Sequence, residues 1–284
     1  MLSAMSAEAL KLRRHRATWM LVWIFPIGAI VIPLIVIIAQ LAQGAPPTPG
    51  TPSLARWYDN ANNFWDLPAS GLARFLIGGF VAVVFAGEYS WNTWKLIVPH
   101  RARPTLLAAK YAVTLGLLYL AFIIAAPIVT GLIWLEDSLT GDPIPDGITA
   151  GGLLWAHAQG LLAGLPVVLF TIALVSFAAI VTRSTTAAII IGIVWVTLEQ
   201  LIQAFAQPLS MYLTGLVELL YQILPGYHFA NLESWLLKGE GQVVPFPSET
   251  VVAYGWAASL AVVAAWVIGL VALTFWRFQK QDIN

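Results

Sequence analysis

The sequence predicts an all-α polytopic membrane protein. It has six transmembrane helices, an N-terminal amphipathic helix and short re-entrant outer helices before the last span, all in one transmembrane domain over residues 1–284. Three observations predict it. Of the 284 residues 59% are hydrophobic and 10% charged, against about 25% charged in a soluble domain, and the mean hydropathy is +0.80. Six apolar runs reach the roughly 20 residues needed to cross about 30 Å of hydrocarbon at about 1.5 Å per residue. Positive and negative charges also separate between alternate loops, as the cytoplasmic bias of Lys and Arg demands.

In chain order, Ser3–Arg16 places Met5, Ala9 and Leu12 on one helical face, with Lys11, Arg14 and His15 elsewhere. This fits an amphipathic helix on the inner leaflet, or equally a basic flank that only sets topology. Thr18–Leu41 is span one, with Pro26 and Pro33 inside it. It exceeds a signal-peptide core of about 7–15 residues, so it is expected to be retained. Ala42–Leu67 holds Pro46, Pro47, Pro49 and Pro52 and is expected to be extended or irregular. Pro68–Gly87, Leu106–Leu135, Leu153–Val181 and Thr185–Ala206 are spans two to five. Leu209–Leu224 is apolar but has only 16 residues, about 24 Å of helix. It is expected to be re-entrant or interfacial, followed by a short helix around His228–Leu237. Val251–Trp276 is span six.

The charges fix an expected orientation. Lys11, Arg13, Arg14, Arg16, Lys95, Arg101, Arg103, Lys110, Arg183, Arg277 and Lys280 share one side. Only Arg56, Arg74 and Lys238 of the 14 basic residues fall opposite, where most of the acidic residues lie. Both termini are therefore expected in the cytoplasm.

Several chemistries are excluded. A net charge of zero argues against a nucleic-acid binder. No cysteine is present, so there are no disulfides, thiol nucleophiles or iron–sulfur ligands. His15, His100, His157 and His228 lack metal-ligand spacing. There is no G-x-x-x-x-G-K-[ST] loop, H-E-x-x-H or G-x-S-x-G. Asp142-Pro-Ile-Pro-Asp146 has D-x-x-x-D spacing, but its two prolines make it a solvated turn. Gly160-Leu-Leu-Ala-Gly164 permits close helix approach. Glu199 is the ionisable residue within a span, and Trp195, Glu199, Gln203 and Gln207 recur every four residues. They read either as a polar stripe on a substrate path, or as an interhelical hydrogen bond or hydrated carboxyl.

The Glu88–Lys110 loop carries the most specific pattern. It joins interfacial Tyr89, Trp91 and Trp94 to His100-Arg-Ala-Arg103 between Pro99 and Pro104. Glu88, Thr93, Lys95, Pro99, Arg101 and Lys110 occur in the order in which type-2 ABC exporter permeases carry them, with Asn92 in place of the usual glycine. Glu8-Ala-Leu-Lys11-Leu-Arg-Arg14 resembles that family's elbow helix, and Phe275-Trp-Arg277-Phe with Asp282-Ile283 is similar to its ending. The chain thus resembles ABC-2 permease subunits in layout throughout.

The resemblance implies an exporter permease without its own ATPase site. Two permeases, identical or related, would form the pore, and two cytosolic ATP-binding subunits holding ATP and magnesium would dock beneath. Glu88, Trp91, Asn92, Thr93, Trp94, Lys95, Arg101 and Arg103 would couple to them, with Trp195, Glu199 and Gln203 on the substrate path. The cargo would be a drug, antibiotic, peptide or lipid-like molecule. Membrane lipid is the other expected partner, and nucleic acid is not one. The residues alone leave open an ATPase-independent secondary transporter, a membrane-embedded enzyme or a scaffold.

Overall fold

Small residues decide which helices occupy the centre. The structure, a computed structural model, describes residues 1–44, 50, 52–91, 93–247 and 251–282. Its helices α1 (Leu2–Arg14), α2 (Arg16–Leu21), α3 (Ile24–Gln43), α4 (Leu54–Asn62) and α5 (Gly71–Ser90) precede the basic loop. The short α6 (Trp94–Ile97) lies within that loop. It is followed by α7 (Arg103–Thr140), α8 (Ala150–Thr182), α9 (Thr185–Ile223), α10 (Pro225–Lys238) and α11 (Trp256–Gln279). Among the described residues, six helical segments are long and apolar enough to cross a membrane, with α2 and α3 counted as one.

The most apolar stretches of α5 and α8 are each 72% buried, against 22% in α9 and α11. Gly78, Gly79, Ala82 and Ala86 let α5 approach closely, and a Cβ on Gly78 would lie 3.4 Å from Val175 of α8. Around this pair, α3 packs on α7, α11 on α8, and α9 on α5 and α8. Phe80, Phe85, Leu118, Phe122, Val168 and Ile180 are fully buried in the shared core.

The structure revises several boundaries. Span one breaks at Val22–Trp23, because Pro26 has no N–H to continue the ladder back to Val22. Pro46, Pro47 and Pro49 lie outside the described residues, but the segment expected to be irregular contains α4. Ser53 Oγ caps it at the Arg56 N–H, 3.2 Å away, and Trp57 and Ala61 are buried on one face. A 3-10 turn over Asn63–Ala69 follows and takes up Pro68, so α5 starts three residues later than expected.

The largest differences lie near the last span. Helix α9 runs through Pro208 and breaks at Leu213 (φ −134°, ψ 50°), so no separate helix begins at Leu209. Val251–Ala253, expected to open span six, is a strand (β2) paired antiparallel with Val243–Pro245 (β1). Hydropathy cannot distinguish an apolar β-branched strand from a helix start, and α11 begins only after Gly255. Ala206, Val217, Tyr221, Tyr227, Phe246 and Val252 join both parts of α9 to α10 and the hairpin. Buried His228 of α10 faces Ser259 of α11 at 2.9 Å and the Gln222 carbonyl at 3.1 Å, and Asn231 donates to Ser259 at 2.7 Å. This cap closes the acidic end.

Candidate functional site

At the basic end the loop stands on a four-charge cluster in which Glu88 and Lys110 are buried and Lys11 is exposed. Glu88, in the last turn of α5, accepts Lys110 Nζ of α7 at 3.1 Å and Lys11 Nζ of α1 at 2.5 Å, both on Oε1. Thr93 Oγ1 donates to its other oxygen. Lys110 also reaches Glu8 at 3.0 Å and the Val84 carbonyl at 2.9 Å, and Lys11 pairs with Glu8 at 2.9 Å. Burial pushes Lys11 down, but Glu8 and Glu88 outweigh it and hold the ammonium above its ordinary pKa. Two cations thus balance two anions across three helices. The face of α1 bearing Ala9 and Leu12, expected on the leaflet, packs onto the protein core instead, and Leu12 is fully buried.

This base sorts the predicted coupling residues. Glu88 and Trp94 are buried. The Trp94 ring centroid lies 4.6 Å from that of Phe278, and Lys110 Nζ sits 5.4 Å above it. Arg103 also turns inward, and its Nη1 donates to the carbonyls of Phe278, Gln279 and Gln281 at 3.0, 2.8 and 2.7 Å. It thereby supplements the backbone donors at the C-terminal carbonyls of α11. Thr93 is half-buried under Glu88, whereas Trp91, Lys95 and Arg101 are exposed beside Leu96 and Pro99. Asn92 lies outside the described residues.

A second ion pair lies deeper. Arg74 of α5 and Glu199 of α9 approach to 2.6 Å, with side chains 6% and 4% exposed. Arg74 Nε donates to Thr171 at 3.4 Å, and the guanidinium carbon sits 5.9 Å from the Phe229 ring centroid. The separation is that of an ion pair, but the angles are not those of a hydrogen bond. Among the described residues, Arg74 Nη2 and both Glu199 oxygens make no hydrogen bond. Glu199, Gln203 and Arg74 line a cavity of about 160 Å³. Trp195 does not, and packs against Phe170 and Trp266 at centroid separations of 5.9 and 5.4 Å. Gln207 turns to the hairpin and donates to the Pro245 carbonyl at 2.8 Å. Steps of four residues rotate about 40° each around a helix, so the stripe fans out and only its middle meets the cavity.

A family model described as "ABC-2 family transporter protein" matches residues 4–199. The chain belongs to the ABC-2 transporter family. No curated protein and no solved structure matches it. The matched region holds both ion clusters entire, from Glu8 to Glu199, while α10, the hairpin and α11 lie beyond it. This ABC-2 family protein is therefore a multi-pass membrane component of a transport system.

Sequence reasoning missed Arg74 as the partner of Glu199, treating it as an outer charge. A signal was present: the two lie at similar distances from the outer ends of their predicted spans, with opposite sign. Lys110 and Glu88 were both singled out, but their contact and the role of Glu8 needed the packing of α1.

Proposed function

We propose that this chain is the permease of an ATP-driven exporter whose ATP-binding subunits are separate proteins docking on the 88–110 loop. Two permeases and two ATP-binding subunits make up the machine, and ATP with magnesium resides in the latter. The basic end faces the cytoplasm. One observation carries this reading: exposed Trp91, Lys95, Leu96, Pro99 and Arg101 stand on a rigid base tied to α1, α5, α7 and α11. A soluble subunit gripping that surface moves four helices together. Because ATP favours the closed ATP-binding dimer, its binding energy biases the permease between two states through this joint.

Co-expression with a candidate ATP-binding subunit tests the reading. The wild-type pair should copurify and hydrolyse ATP, and Trp91→Glu with Leu96→Glu and Arg101→Glu should abolish assembly while leaving the permease's thermal stability unchanged. Full assembly by the triple variant overturns it. The Arg74–Glu199 pair favours one competing reading, a gradient-driven transporter, since ionisable pairs in the membrane often mark ion pathways. Gradient-driven uptake by liposomes holding this chain alone would establish that alternative.

A further inference from the structure

We propose that the cavity beside Arg74 and Glu199 binds the primary ammonium group of a small organic amine. As a statement about cargo this rests on the permease reading above, but as a statement about binding it does not. The floor is buried and built from four helices and one turn: Arg74, Glu199, Trp65, Gly164 and Phe229. Half-buried Glu233 and exposed Gln203 form the mouth.

Three features select a cation that donates hydrogen bonds. Glu199 is 4% exposed; its Oε2 meets the Arg74 guanidinium as an ion pair, and among the described residues its Oε1 has no hydrogen-bond partner, although a carboxylate can accept about four. A buried acceptor left empty is costly, so a donor entering the cavity relieves that cost. Second, the lining charges are one guanidinium against the carboxylates of Glu199 and Glu233. The guanidinium is already held by Glu199 at 2.6 Å and Thr171 at 3.4 Å. An anion would have to displace Glu199, whereas a cation meets a net negative site. Third, the aromatic rings of Trp65 and Phe229 are part of the lining, and such rings attract cations. Trp65 is fixed by its indole N–H, which donates to His157 Nδ1 at 3.1 Å.

Size limits the ligand. A volume of about 160 Å³ equals roughly five waters and lies below the roughly 300 Å³ of the smallest drug-sized pockets. The site holds an ammonium head and a short chain or single ring. Gly226 keeps it open, since a Cβ there would fall 2.9 Å from Gln203 Nε2 and 3.8 Å from the Glu199 carboxylate.

The test uses the purified full chain in nanodiscs of zwitterionic lipid, with empty nanodiscs to subtract partitioning. Calorimetry compares 2-phenylethylammonium, 2-phenylethanol and phenylacetate, which share a ring and differ in charge. The ammonium should bind at least about tenfold more tightly than either of the others, the discrimination expected of a charge-assisted hydrogen bond in a buried site. Glu199→Gln keeps the shape and should abolish that preference. Because it also leaves Arg74 unpaired, Ala230→Leu, which fills the cavity from α10 without altering charge, provides the second variant and should weaken ammonium binding. Equal affinity for the three probes, or an ammonium preference unchanged in Ala230→Leu, overturns the proposal. Copurification of the ATP-binding subunit is scored separately, so loss of amine preference with intact assembly defeats this inference alone. Amine binding without assembly defeats only the permease reading.

Discussion

At the scale of single residues, burial turns ordinary charges into structural commitments. Lys110 is 3% exposed at its side chain and Glu88 7%, so removing Lys110 leaves the cluster one cation short around a buried carboxylate. Lys110→Met should destabilise the protein by about 3–5 kcal/mol. Combining it with Glu88→Gln should recover much of that loss, and thermal unfolding of the two variants measures the difference. His228 makes a separate commitment. Its Nε2 must donate to the Gln222 carbonyl, which leaves Nδ1 to accept from the Ser259 hydroxyl, itself the acceptor for Asn231. A second ring proton would break that order. Burial accordingly holds the pKa below the ordinary 6.5. The unfolded chain then takes up the proton first, so stability should fall as pH drops below 6.5 and be flat above it. Melting curves at stepped pH should show a steeper decline in the wild type than in His228→Gln.

At the scale of elements, packing depends on which glycines face a neighbour. A Cβ on Gly160 of α8 would lie 2.5 Å from the Trp65 ring, whereas Gly116 of α7 has nothing within 4 Å. Trp65 cannot yield, because His157 holds its indole and Thr130 in turn holds His157 at 3.2 Å. Gly160→Ala should therefore cost about 1–3 kcal/mol by overpacking. Gly116→Ala should be neutral or gain up to about 1 kcal/mol from reduced chain entropy. A denaturation series in one detergent compares the two. The glycine pair of span four marked close approach in the sequence, but its partner, the turn before α5, was hidden in a segment expected to be irregular. Helix α4 was missed although Leu54, Trp57, Tyr58 and Ala61 stand at i, i+3, i+4 and i+7, because it is only nine residues long and follows a proline-rich stretch.

At the scale of the molecule, polarity of charge becomes orientation. The absence of native cysteine makes the chain suited to single-cysteine mapping. Arg101→Cys should react with an impermeant maleimide only from the cytoplasmic side of sealed vesicles, and Asp146→Cys only from the opposite side. The reverse pattern would contradict the charge-based orientation. The candidate coupling surface was only partly legible. The sequence singled out the loop as a unit, yet Trp94 and Arg103 face the protein, and its exposed surface also includes Leu96 and Pro99. A tryptophan at an interface looks alike whether it meets lipid, a partner or its own core, because the transfer energy that places it there is similar in each case.

The sequence by itself determined the six-span count and the segregation of charge. Both follow from solvation, which each residue carries wherever it is placed. Only the tertiary structure decided that Arg74 meets Glu199, that Glu8, Lys11, Glu88 and Lys110 form one cluster, and that Val251–Ala253 is a strand. Those are properties of pairs. Within a few ångströms a pair of charges changes from negligible to decisive as dielectric and distance fall, and the rotation of one helix against another, which sets that distance, is written in no single segment.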